Sequence, residues 1–102
     1  MNKKIYAEVF ERAGGTYCEL CGSNNEVQLH HIVKGSGKRK VCERTESVIF
    51  LCWAHHYGKF GIHGMEGKAL DLKLKLYLQD IYKQQGMNED TIRKWMGGKI
   101  YG

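Results

Sequence analysis

Two short residue pairs constrain this chain more than any other feature in it. Cys18-Glu-Leu-Cys21 is followed, further along, by Cys52-Trp-Ala-His55. Two thiolates two residues apart can grip one ion from a tight turn, and glycine at position 22 lets the backbone make that turn. The second pair falls where a helix is predicted to begin. Together they supply four soft or borderline ligands, enough for a closed tetrahedral zinc site made of Cys18, Cys21, Cys52 and His55. Cys42 competes for a place in that set. It lies in a basic loop with no second ligand at a useful spacing, so it reads as a free thiol that could replace one of the four. A redox Cys-x-x-Cys pair is a further alternative, although no βαβ pattern surrounds it. The last alternative is cysteines and histidines simply packed in a core.

Chain length explains why a metal is useful. With 102 residues, this is one domain, and it buries only about two-thirds of the surface its unfolded form exposes. Small cores commonly need a staple. Bridged cysteines are not expected, because Ile5 to Phe10 is broken by Glu8 and followed by Glu11 and Arg12, unlike a secretory leader. The expectation is therefore a cytoplasmic protein in a reducing compartment. No run of about 18 apolar residues is present, which excludes a membrane-spanning helix and argues against a membrane partner. Sixteen Lys and Arg against eleven Asp and Glu give a net charge of +5, which favours a polyanionic partner.

The chain reads as an α+β arrangement. Residues 3–13 place Ile5, Val9 and Ala13 on one helical face. Residues 27–33 and 48–51 are β-rich and predict two strands of a long-loop hairpin. Residues 34–47 form the polar loop between them, carrying Lys34, Lys38, Arg39, Lys40 and Arg44. A helix begins in Cys52–Tyr57, and Gly58, Gly61, Gly64 and Gly67 keep it from continuing. Leu70-Asp-Leu-Lys-Leu-Lys-Leu alternates like a strand, yet its composition favours a helix over 69–85. Asn88, Glu89 and Asp90 followed by Arg93, Lys94 and Gly97 predict a capped helix over 88–96. Leu72 and Leu76 widen the apolar face of the 69–85 helix. Either the last helix and Trp95 cover them, or they form a homodimer interface.

Outside the zinc set stand His30 and His31 on the first strand, His56 beside His55, and His63. Neighbours on a strand point to opposite faces, so His30 and His31 should do different jobs. On a helix, His56 points about 100° away from His55. A strand histidine, His56 and His63 are the candidates for a second, open metal site that leaves positions for water and phosphate.

These residues, in this order, resemble the HNH nucleases of the ββα-metal, treble-clef zinc class. The matching text is Cys18-x-x-Cys21, then Leu29-His30-His31-Ile32, then Leu51-Cys52-x-x-His55-His56, with a weaker echo at His63-Gly64. The stretch 57–102 is similar to small phage and prophage members of that group. The resemblance implies one HNH-like domain over 1–102, with a zinc and catalytic core at 16–64 and a helical part at 68–98. It implies His30 and His56 as ligands of a catalytic divalent metal, His63 as a further ligand, and His31 as general base. Cys18, Cys21, Cys52 and His55 match the structural zinc set. Ser47 stands where the family has the asparagine that holds the loop and orients the base.

The implied activity is hydrolysis of DNA phosphodiester bonds, with His31 taking a proton from water and a divalent metal stabilising the leaving oxygen. Mg²⁺ prefers oxygen ligands, so Mn²⁺, Ni²⁺ or Zn²⁺ would suit an imidazole set better. Lys34, Lys38, Arg39, Lys40 and Arg44 would meet DNA phosphates. Two other functions compete: a non-catalytic zinc module that binds nucleic acid or protein, and a structural interaction protein whose charge is incidental.

Overall fold

The computed structural model describes residues 2–33 and 42–102. Its elements run in the order α1 (Lys3–Ala13), β1 (Gln28–His31), a single 3₁₀ turn (Thr45–Ser47), β2 (Val48–Leu51), α2 (Trp53–Tyr57), α3 (Lys68–Gln84) and α4 (Glu89–Trp95). The fold is α+β, as the sequence implies. The strands pair antiparallel, with Gln28 opposite Leu51, His30 opposite Ile49 and His31 opposite Val48. The first strand is shorter than expected: after His31 only Ile32 N–H continues, donating to Ser47 O at 2.8 Å. No helix among the described residues is long and apolar enough to cross a membrane. Lys34, Lys38, Arg39 and Lys40 lie outside the described residues.

β2 is buried along its whole length, and its two faces serve two cores. Val48 and Phe50 pack with Ile5 and Val9 of α1. Ile49 and Leu51 point the other way, into a larger core with Leu74, Leu78 and Tyr82 of α3 and Ile92 and Met96 near α4. This period-two division is what a strand sandwiched between helices requires. Each fully buried aliphatic or aromatic side chain contributes about 1.5–3 kcal/mol.

Helix ends follow the sequence. The Asn2 side chain accepts from Lys4 N and Ile5 N at the start of α1, and Asn88 accepts from Thr91 N at the start of α4. In α3 the helical reading prevails over the alternating one: Leu74, Leu78 and Tyr82 are buried, while Leu72 and Leu76 stay exposed at 46% and 38%.

Arg12 ties α1 to the hairpin. Its guanidinium donates to both carboxylate oxygens of Glu19 at 2.6 and 3.0 Å, to Thr45 O at 2.7 Å and to Val48 O at 2.6 Å. Glu19 in turn accepts from Phe50 N at 2.9 Å. One arginine thus joins the first helix, the Cys18–Cys21 turn and the start of β2.

Candidate metal centres and catalytic cleft

The Cys18–Cys21 turn closes through Gly22 N–H donating to Cys18 O at 2.8 Å, with Gly22 at a φ of 78° that favours glycine. The backbone then brings this turn to the start of α2. Trp53 N donates to Asn25 O at 3.0 Å, and Glu19 N to Phe50 O at 3.0 Å. As a result Cys18, Cys21, Cys52 and His55 bring their ligand atoms within 4.8 Å of one another. Cys21 Sγ and Cys52 Sγ are 3.7 Å apart. His55 Nδ1 lies 3.5 Å from Cys18 Sγ and 3.3 Å from Cys52 Sγ. A tetrahedron with bonds of about 2.3 Å to sulfur and 2.0 Å to nitrogen has edges of roughly 3.5–3.8 Å. These three separations are close to the edges of a zinc tetrahedron, and the cluster could hold such an ion.

All four cysteines are free. Burial pushes the Cys18 thiol up, but backbone hydrogen bonds from Cys52, Leu20 and Cys21 outweigh it and leave the pKa below its usual value, which favours the thiolate a metal needs. Cys42 is not a member of this cluster. It is buried in the larger core, with Sγ 3.7 Å from Lys94 O. The redox pair is likewise less apt, since Cys18 and Cys21 share their site with two further ligands.

A second cluster forms from His30, His56 and His63, whose ligand atoms also lie within 4.8 Å of one another. Each comes from a different element. His30 is on β1, opposite Ile49; His56 is on α2; His63 is on the glycine-rich coil after α2. That coil folds back on the helix through Ile62 N to His55 O at 2.9 Å and His63 N to His56 O at 2.8 Å. Such close backbone approach excludes side chains: a Cβ on Gly64 would stand 1.8 Å from Gly58 O. The glycines do more than stop a helix, because they let His63 reach His56.

The chemistry of this cluster fits a metal. His30 Nε2 and His56 Nδ1 are buried and have no hydrogen-bond partner among the described residues. Orphaned buried imidazole nitrogens are costly unless something binds them. Burial pushes the His30 pKa down to about 4, with His56 and His63 adding to the effect. Burial, then His63, also lowers that of His56. Neutral imidazole is the ligand form.

His31 does a different job from its neighbour, as the strand geometry requires. Its Nε2 lies 2.7 Å from Glu43 Oε2. The carboxylate accepts, so Nε2 donates; in the neutral imidazole Nδ1 then carries the lone pair. Sequence reading passed over Glu43, an acid inside a basic loop, twelve residues from its partner.

Ser47 is 1% exposed. Its hydroxyl donates to Cys42 O at 2.6 Å and accepts from Arg44 N at 2.9 Å. Those residues flank Glu43. Ser47 therefore holds the backbone on both sides of the carboxylate that holds His31. Arg44 lies over the Trp95 ring at 3.2 Å, where cation–π attraction anchors the end of the loop to α4.

His30, His31 and His63 line a single cavity of about 470 Å³, together with Asp71, Lys75 and Tyr101. This chain matches no protein-family model, no curated protein and no solved structure.

Proposed function

We propose that this protein is a metal-dependent endonuclease of the HNH type, hydrolysing phosphodiester bonds of DNA. The observation that carries this reading is that one cavity is lined both by His30 and His63, which cluster with His56, and by His31, which pairs with Glu43. A packed core has no use for either. A metal-assisted hydrolytic site can use both, one to hold a cation and one to take a proton.

In this mechanism His31 Nδ1 accepts a proton from a water positioned to attack phosphorus. Glu43 keeps the opposite nitrogen protonated and stabilises the imidazolium that forms, the role an acid plays behind a catalytic histidine. Ser47 supports the base by fixing the backbone around Glu43. In this reading it performs, through the loop, the task the HNH pattern gives to asparagine. His30, His56 and His63 would hold a divalent cation, which when bound polarises a phosphate oxygen and stabilises charge on the leaving 3′ oxygen. An all-imidazole set favours Mn²⁺, Ni²⁺ or Zn²⁺ over Mg²⁺. Cys18, Cys21, Cys52 and His55 would hold a structural zinc, which when bound would fix α2, and with it His56, against the hairpin. The net charge of +5 suits a polyanionic substrate.

The test is conversion of supercoiled plasmid to nicked and linear forms by zinc-loaded protein, with Mg²⁺, Mn²⁺, Ni²⁺ or Zn²⁺ added in turn. Cutting that depends on the added ion and is strongest with a transition metal is the expected result. Binding to DNA without cutting under any of these ions would overturn the catalytic reading and leave a zinc-stabilised nucleic-acid-binding module.

A further inference from the structure

The cavity has a second wall, on α3, that the mechanism above does not use. Asp71, Lys75 and Gln79 follow one another at intervals of four and so form one ridge along the helix. Each makes a different contact. Asp71 Oδ2 accepts from Lys75 Nζ at 2.8 Å, and its charge reaches His30 across the cavity. Gln79 exchanges two hydrogen bonds with the backbone of Tyr101, 2.7 Å to its carbonyl and 2.8 Å from its N–H. Tyr101 is thereby pinned beside the ridge, and Lys75 Nζ lies 5.5 Å from the centre of its ring.

Lys75 differs from an ordinary surface lysine. Its side chain is only 23% exposed, and it lines the same cavity as His30, His31 and His63. An ammonium has three donors and no acceptor. One goes to Asp71, and among the described residues the three are not all used, even with Tyr101 close by. The part-buried pair with Asp71 holds this charge beside the cavity, where a phosphate oxygen could accept from it.

We propose that Lys75 forms a phosphate-binding subsite of the cleft, its ammonium steered by Asp71 and packed beside Tyr101 so that it grips a non-bridging oxygen of a nucleic-acid backbone phosphate. This assignment rests on the nuclease reading. Asp71 and Gln79 are positioning residues: the first aims the ammonium, and the second fixes the wall against which it packs. Burial pushes the ammonium pKa down, but the hydrogen bond and charge of Asp71, with Tyr101, more than offset it. Lys75 therefore keeps its charge throughout the neutral range.

The experiment is equilibrium binding of a short fluorescein-labelled duplex in a His31→Ala background, so that the DNA is not consumed. Lys75→Met keeps the alkyl packing and removes the charge; Lys75→Arg keeps the charge. Lys83→Met, at the far end of α3, controls for general loss of charge. Between about 50 and 200 mM salt, Lys75→Met is expected to weaken binding roughly three- to tenfold and to lower the salt slope by about one. Lys75→Arg should recover most of the affinity, and Lys83→Met should stay within about twofold of the parent. Unchanged affinity and slope in a folded, zinc-loaded Lys75→Met protein would overturn the subsite while leaving the nuclease reading intact. An equal loss in Lys83→Met would overturn it in the same way. Absence of duplex binding in the parent would overturn both.

Discussion

His31 Nε2 and Glu43 Oε2 stand 2.7 Å apart, joining the last residue of the first strand to the far end of the long loop. In the neutral imidazole that contact places the proton on Nε2 and leaves Nδ1 to accept. It also gives an acid in a basic loop a purpose that charge alone does not suggest.

Glu43→Gln should therefore slow plasmid nicking by about 10- to 100-fold, the order expected when a partner that orients a functional imidazole is lost. Zinc content and thermal midpoint should stay close to those of the parent. Nicking at the parental rate would remove Glu43 from the mechanism.

The cysteine–histidine cluster is legible in the sequence because ligand type and spacing are local properties. Cys18, Cys21, Cys52 and His55 declare themselves through two x-x intervals, whatever the rest of the chain does. Glu43 was not legible, because its partner is chosen by the hairpin and not by spacing. Ser47 stood out as the departure from the HNH pattern, yet its bonds to Cys42 and Arg44 depend on how the loop closes. The glycines at 58, 61, 64 and 67 read as helix breakers; that they permit backbone contact appears only when the coil is seen folded onto α2. In α3, two periods overlapped because Leu72 and Leu76 are apolar but exposed. The buried set of Leu74, Leu78 and Tyr82 follows the helical period alone.

Ser47→Ala removes a buried hydroxyl that serves two backbone groups. It should lower stability by about 1–3 kcal/mol, read from the denaturant midpoint. It should also reduce nicking in the same direction as Glu43→Gln, since the backbone around Glu43 is released. A loss of stability with full activity would show that the serine supports the fold but not the base.

Gly64→Ala puts a Cβ 1.8 Å from Gly58 O, so the coil must shift and carry His63 away from His56. Co²⁺ titration should then show the tetrahedral Cys₃His centre filled as in the parent, while affinity at the histidine cluster falls about tenfold or more. Unchanged binding at both centres would contradict the role given to the coil.

His30 supplies a pH signature in protein without added divalent ion. Its pKa is about 4 when folded, against 6.5 for an ordinary histidine. Between those values the unfolded chain takes up a proton that the folded chain refuses, so folding stability falls as pH falls from 6.5 to 4. The contribution is on the order of 3 kcal/mol at most. His30→Asn removes it. The stability of this variant relative to the parent should rise as the pH is lowered through that window, as urea midpoints measured side by side would show. A constant difference would mean that His30 titrates normally.

The proposed role of His31 as general base sets it apart from the two candidate metal clusters nearby. The most direct measurement is the single-turnover nicking rate of the parent and of His31→Ala, at equal zinc content and saturating Mn²⁺ or Ni²⁺. The parent should cut efficiently and the variant should lose at least about 100-fold, the low end of what general-base catalysis supplies, with DNA affinity retained. Equal rates in the two proteins would contradict the role proposed for His31.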